Sequence, residues 1–281
     1  MSKVTFNDVR QKCANVRFFP YDTWHDRIFV PPAILLTWLF VRLGVGGNAV
    51  SWLSGIIVVA GAFALSSNNG HIVAVGSLGY LFFYLLDYVD GGVARYNGTA
   101  GMSGQYIDWI IHIIASVATM AGLLCGASHF TGDWIFLFGI LAIVAAALTT
   151  GRYSMGWFAV CMERQQRIVK GADLSVSNEI FKATKPPSSV FRVIKAITTV
   201  LFHENYIIFV LPILAFLQLI LPEMIVDFRI IMIIIGGLVY FPVMILDIHK
   251  IAKENSIDKA YHKLFIDEKK PNLPNDHFFI F

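Results

Sequence analysis

Apolar positions along this chain gather into long blocks separated by short polar punctuation. Six blocks approach or reach the roughly 20 residues that a membrane-spanning helix needs. They lie at about 49–66, 71–90, 105–127, 133–151, 205–221 and 228–247. An earlier apolar stretch, 31–43, is about 13 residues long and predicts an interfacial or re-entrant helix rather than a span. The pair Pro31–Pro32 predicts the start of that helix, where a missing amide hydrogen is not needed. The expectation is an all-α integral membrane protein of six transmembrane helices. Residues 1–48 form a cytoplasmic segment with the interfacial helix, 49–250 the six-helix domain, and 251–281 a cytoplasmic tail.

Between the fourth and fifth blocks the pattern changes. Residues 152–204 are polar and long enough to carry helices of their own. Within them Val190, Ile194, Ile197 and Leu201 recur at helical spacing beside Arg192 and Lys195. That reads either as a basic amphipathic helix on an anionic leaflet or as a helix packed on the bundle. No internal repeat or low-complexity tract is visible. The first 19 residues lack the basic, apolar and small-residue order of a cleavable signal, so none is expected.

Composition narrows the class. Hydrophobic residues make up 56% of the 281 and charged residues 15%, which excludes a disordered chain and argues against a soluble globule. Cys13, Cys125 and Cys161 share no metal-type spacing and read as free thiols. The formal charge of +3 points to no nucleic-acid partner. Its distribution says more. Of the 22 basic residues, 21 fall in segments that six spans place on one side, and Arg229 alone falls on the other. The positive-inside rule makes the basic side, with both termini, cytoplasmic. A bacterial inner membrane and an organelle membrane both fit.

The chemistry sits at one turn. Residues 86–95 read LDYVDGGVAR and residues 104–112 read GQYIDWIIH. Asp87 and Asp90 are three apart and Asp108 and His112 four apart, so each pair shares a helix face. A short turn predicts antiparallel neighbours whose four side chains converge. Carboxylates inside a span are costly and rarely idle. Three of them repel unless a cation stands among them, and hard oxygen donors suggest Mg²⁺ or Mn²⁺. Arg95 suits an aspartate or a phosphate in fork geometry. Gly91, Gly92 and Gly104 leave room for a ligand against the backbone. The alternative is a structural ion-pair cluster between two helices.

These residues resemble the CDP-alcohol phosphotransferase family, whose pattern is D-x2-D-G-x2-A-R-x8-G-x3-D-x3-D. Asp87, Asp90, Gly91, Ala94, Arg95, Gly104 and Asp108 match, and His112 stands where the family has its fourth aspartate. Gly47-Asn48-Ala49-Val50-Ser51 occupies the place of the P-N-x-x-T-like stretch that opens the first span in many members, with Gly for Pro and Ser for Thr. The resemblance implies six spans, a preceding interfacial helix and a cytoplasmic active site. It implies that Asp87, Asp90 and Asp108 ligate a metal pair. Gly91, Ala94, Arg95 and Gly104 would line the nucleotide and diphosphate pocket, and Asn48 and Ser51 would border the cytidine. The fourth position would be general base and would also touch metal, so His112 joins Asp108 as a catalytic candidate. A hydroxyl acceptor would attack the phosphorus remote from cytidine and release CMP, making a phospholipid or related lipid.

A histidine serves as base or ligand but supplies no negative charge, which predicts weaker binding of a second metal. An active enzyme, an impaired one and a non-catalytic member of the fold all remain open. The basic inner face favours a CDP-diacylglycerol donor with a polar acceptor; a CDP-choline or CDP-ethanolamine donor with a lipid acceptor is the alternative. Arg152 suits an acceptor phosphate or simply snorkels to the interface. His25, Asp26 and Arg27 read as facing headgroups, and Asp247, His249 and Lys250 as a plain span boundary. Gly122 and Gly126, with Ala145 to Ala147, predict close helix packing or a homodimer contact. From another class, an ion-coupled transporter would use the same four side chains as a midplane ion site between inverted repeats.

Overall fold

A computed structural model describes residues 4–17, 24–150, 193–194, 197–198, 201–202, 204–221 and 226–253. No strand occurs among them. The helices are α1 (Phe6–Arg17), α2 (Trp24–Arg42), α3 (Gly47–Leu65), α4 (Gly70–Tyr96), α5 (Met102–Thr131), α6 (Ile135–Thr150), α7 (Glu204–Ile220), α8 (Phe228–Ile235) and α9 (Phe241–Lys253). A π-helical turn, Gly236–Tyr240, joins α8 to α9. Four helical runs are long and apolar enough to cross a membrane: α3, α4, α5 and Phe228–Lys250. Two shorter apolar helices, Ile135–Thr150 and Tyr206–Ile220, accompany them. The molecule is an all-α integral membrane protein. Its outward faces carry large apolar side chains, with Phe63 74% and Val75 68% exposed. Water would penalise such a surface and lipid would not.

The N-terminal region departs from expectation. Residues 6–17 form a helix that the hydrophobic pattern did not announce. Its start is a reciprocal cap: Thr5 N–H donates to Asp8 Oδ2 at 3.0 Å, and Asp8 N–H donates to Thr5 Oγ1 at 3.2 Å. The Thr5 hydroxyl and amide hold the Asp8 carboxyl below its ordinary range. Val9 and Cys13, four apart, form the buried face. α2 starts seven residues before Pro31, with both prolines inside it. Two missing amide donors cost ladder bonds, yet the burial of Phe29, Val30, Ala33 and Ile34 holds the helix together across them.

Two helices stop for the same reason. Gly44 has φ +71° and Gly98 has φ +68°, a region that favours glycine. At the first, Val45 N–H reaches Phe40 O at 3.0 Å and Gly44 N–H reaches Val41 O at 3.1 Å. At the second, Thr99 N–H reaches Ala94 O at 2.9 Å and Gly98 N–H reaches Arg95 O at 3.2 Å. Both are Schellman ends. The second fixes the turn from α4 into α5.

α3 is the central helix. It packs on α4 and on α5 far more extensively than those two pack on each other. The expected side-by-side pairing of α4 and α5 is confined to a short direct contact, and α3 joins the two along the rest of its length, because small residues let α3 approach both. A Cβ at Gly61 would stand 2.8 Å from Gly76 O, and one at Gly122 would stand 2.3 Å from Ala62 O. The Gly122–Gly126 spacing thus serves packing within the chain. α6 fits between α5 and the π turn: Gly139 lies against Leu124, and Gly236 against Ala142. Ala145 and Ala146 are buried in the same region.

At the end of the bundle away from the α4–α5 turn lies Arg229, the basic residue that broke the charge rule. It is buried, and its Nε and NH2 bind Asp227 at 2.9 and 2.8 Å. Its NH1 donates to Leu65 O and Ser67 O, each at 2.7 Å. The guanidinium thus pairs with Asp227 and ties the start of α8 to the α3–α4 turn.

Of the stripe expected in 190–201, Ile194 and Leu201 are partly buried while Ile197 is exposed. Among the described residues there, Thr198 and Phe202 are buried, the latter stacked on Tyr240 at 4.7 Å. Val190, Arg192 and Lys195 lie outside the described residues, as do Arg152, Cys161 and the tail beyond residue 253.

Candidate functional site

Asp87 lies about two thirds of the way along α4, and Asp108 and His112 lie in the first three turns or so of α5. The Gly98 turn brings them together. His112 Nε2 is 2.9 Å from Asp87 Oδ1 and 3.4 Å from Asp108 Oδ1. One ligand atom from each of the three residues lies within 4.8 Å of the others. All three side chains are only partly shielded: 15% of Asp87, 25% of Asp108 and 13% of His112 remain accessible. The imidazole ring meets the edge of Phe83 at 5.0 Å. The site is therefore a partly shielded polar cluster beside an aromatic ring.

Asp90 is placed differently. It is buried, and the Ser51 hydroxyl of α3 donates to its Oδ2. The two α4 aspartates face different neighbours, Asp87 towards α5 and Asp90 towards α3. Gly47 makes that approach possible, since a Cβ there would stand 2.8 Å from Asp90 O and 3.0 Å from the Ala94 methyl. Asn48 follows on the next position, its Oδ1 3.5 Å from where a Cβ on Gly104 would lie. Arg95 folds back over Gly91, with NH1 3.0 Å from a Cβ position at 91. Asn48, Ser51, Asp90, Gly91, Ala94, Arg95 and Gly104 thus frame the same end of the bundle as the three-residue cluster.

Two neighbours were not singled out from the sequence. Gln105 Nε2 donates to Asp108 Oδ2 at 3.2 Å, which orients that carboxylate. Its signal was available, since it lies three positions before Asp108 on the same helix. Gly92 admits Thr37 of α2, whose Oγ1 would lie 2.7 Å from a Cβ at 92. α1 also closes on this place: the Cys13 thiol donates to Gly92 O at 3.2 Å, and Lys12 lies over the Tyr96 ring at 4.6 Å. Burial pushes the Cys13 thiol above its ordinary 9.0, against the opposing pull of Arg95 and Lys12. Asp247, expected at a plain span boundary, is buried.

Chemically, the cluster offers two carboxylates and one imidazole, all partly shielded. Such a donor set fits a divalent cation. It also provides two bases within 3.4 Å of each other. No protein-family model matches the chain, and no curated protein matches it.

Proposed function

We propose that this protein is a metal-dependent CDP-alcohol phosphotransferase with six membrane spans and its site on the cytoplasmic side. The observation that carries this reading is the convergence of Asp87, Asp108 and His112 within 4.8 Å. The motif spacing is the reason to expect that convergence. The six apolar helices coincide with the six blocks of the hydrophobic pattern. The cluster's place towards one end of α4 and α5 favours an interfacial reaction over a midplane ion path.

In this reading Asp87 and Asp108 hold Mg²⁺ or Mn²⁺ with His112, and Asp90 adds its charge from the α3 side. The bound ion supplies neutralisation of the diphosphate and of the charge that builds up on the departing oxygen. Arg95 faces the diphosphate, with Gly91 and Gly104 leaving it room. Asn48 and Ser51 border the nucleotide. The acceptor oxygen forms a bond to the phosphorus remote from cytidine as the phosphoanhydride bond breaks, and CMP leaves with the electron pair. The acceptor's proton passes to one of two bases, His112 or Asp108. A CDP-diacylglycerol donor with a polar acceptor suits the basic inner face.

Protection by nucleotide tests the reading. The enzyme gains thermal stability from CMP only when Mg²⁺ or Mn²⁺ is present. A hundredfold excess of ligand over Kd stabilises by about 2.7 kcal/mol. Stabilisation by a cation alone, with indifference to CMP, points to a transporter. No response to nucleotide or cation points to a non-catalytic fold.

A further inference from the structure

We infer that His112 binds the ion directly through Nε2 and so makes this site select a first-row transition ion, such as Mn²⁺ or Co²⁺, over Mg²⁺. The inference rests on the metal-dependent reading above and goes beyond it by naming the coordinating atom and the choice of ion.

The donor set argues for it. The three groups within 4.8 Å are two carboxylates and one imidazole nitrogen. Asp90, the nearest further acid on α4, is engaged by Ser51 on the α3 side. Nε2 is the imidazole atom that faces both carboxylates, at 2.9 and 3.4 Å. The Phe83 ring packs against the imidazole in T-shaped geometry at 5.0 Å. A cation among the carboxylates therefore meets that nitrogen. Mg²⁺ prefers six oxygens and parts with its water reluctantly. Imidazole nitrogen suits the later first-row ions, whose affinity for such sites rises from Mn²⁺ through Co²⁺. A neutral ligand also brings less negative charge than a carboxylate, and Mg²⁺, held mainly by charge, loses most by that exchange. With His112 ligating, the acceptor's proton falls to a carboxylate oxygen of Asp108, whose other oxygen Gln105 orients.

The test uses the full chain purified in detergent, with Mn²⁺ as probe. Bound Mn²⁺ is counted by loss of the free-ion electron paramagnetic resonance signal, and Mg²⁺ is titrated in as competitor. Pulsed measurements on the bound ion report whether a nitrogen is directly coordinated. The native chain is expected to show nitrogen coupling. His112→Asp and His112→Gln are expected to lose it. The Mg²⁺ concentration needed to displace Mn²⁺ should fall about tenfold or more in His112→Asp, the scale on which changes around a metal site act. Gln keeps the ligand neutral while replacing nitrogen by oxygen, which separates the effect of charge from that of donor type. Bound Mn²⁺ without nitrogen coupling in the native chain overturns the inference and leaves the phosphotransferase reading standing, with His112 reduced to a partner of Asp87. Absence of Mn²⁺ binding by the native chain overturns both. Should a variant fail to fold, the coupling in the native chain still decides.

Discussion

Asp87 and Asp90 are three residues apart on a helix, which leaves them about 60° apart around its axis. That angle lets one reach α5 and the other reach α3. The sequence predicted their common face, and the convergence of Asp87 with Asp108 and His112 follows from i,i+3 and i,i+4 spacing across a short turn. It did not show that Asp90 is taken by Ser51, because the placement of α3 decides that. Arg229 was visible only as an exception to a charge rule. Its partners are two backbone carbonyls and a cap aspartate, none of which has a sequence pattern of its own. Replacing it tests that account. Arg229→Met leaves Asp227 and the α3–α4 turn without their donor, and breaking a buried pair in this way costs about 3–5 kcal/mol. Denaturant or thermal unfolding of the purified protein should show that loss, while CMP binding at the other end of the bundle is retained by the fraction that folds.

Helix positions follow from apolar block length, so the described spans start and end within a few residues of the pattern. The errors have physical causes. Among the described side chains of α1 only Val9 and Cys13 are buried, and the sequence around them is mostly polar, so its apolar signal is weak. α2 crosses two prolines because packing outweighs two lost bonds. The π turn at Gly236–Tyr240 adds a residue that no periodicity at this length reveals. Packing between elements was legible where glycine recurred. Gly122→Val places a branched side chain where a Cβ already lies 2.3 Å from Ala62 O, and should cost about 1–3 kcal/mol by forcing α5 off α3. Unfolding measurements read it directly. The docking of α1 predicts a pH effect. In a chain retaining only Cys13, alkylation should become rapid only above pH 9, because the thiolate is the nucleophile and burial holds the folded thiol neutral. The sign for stability follows. The unfolded chain ionises this thiol first, so its contribution to stability is complete below about pH 9 and declines as the pH rises through the folded value.

At the scale of the molecule, the outward apolar faces and the four helices long and apolar enough to cross a membrane are those of an integral membrane protein. Sidedness is the part that the charge pattern alone argues. A cysteine introduced at Thr99, in the exposed α4–α5 turn, should react with an impermeant reagent only when the inner face is open. One at Asp133, in the exposed α5–α6 turn, should react from outside. The reverse result inverts the topology and moves the site to the other face. The central claim is the chemistry, and CMP release tests it most directly. The purified chain would be given CDP-diacylglycerol, and separately CDP-choline with a lipid acceptor. The first donor would be offered serine, glycerol phosphate, inositol, inositol phosphate or choline, in Mn²⁺, in Mg²⁺ and in EDTA. His112→Asp and Asp87→Asn would run beside it. The account predicts acceptor-dependent CMP release by the native chain, abolished by EDTA and by Asp87→Asn. Absence of release with every donor, from a folded native chain that binds Mn²⁺, would contradict it, and release by His112→Asp alone would show that the native histidine silences the site.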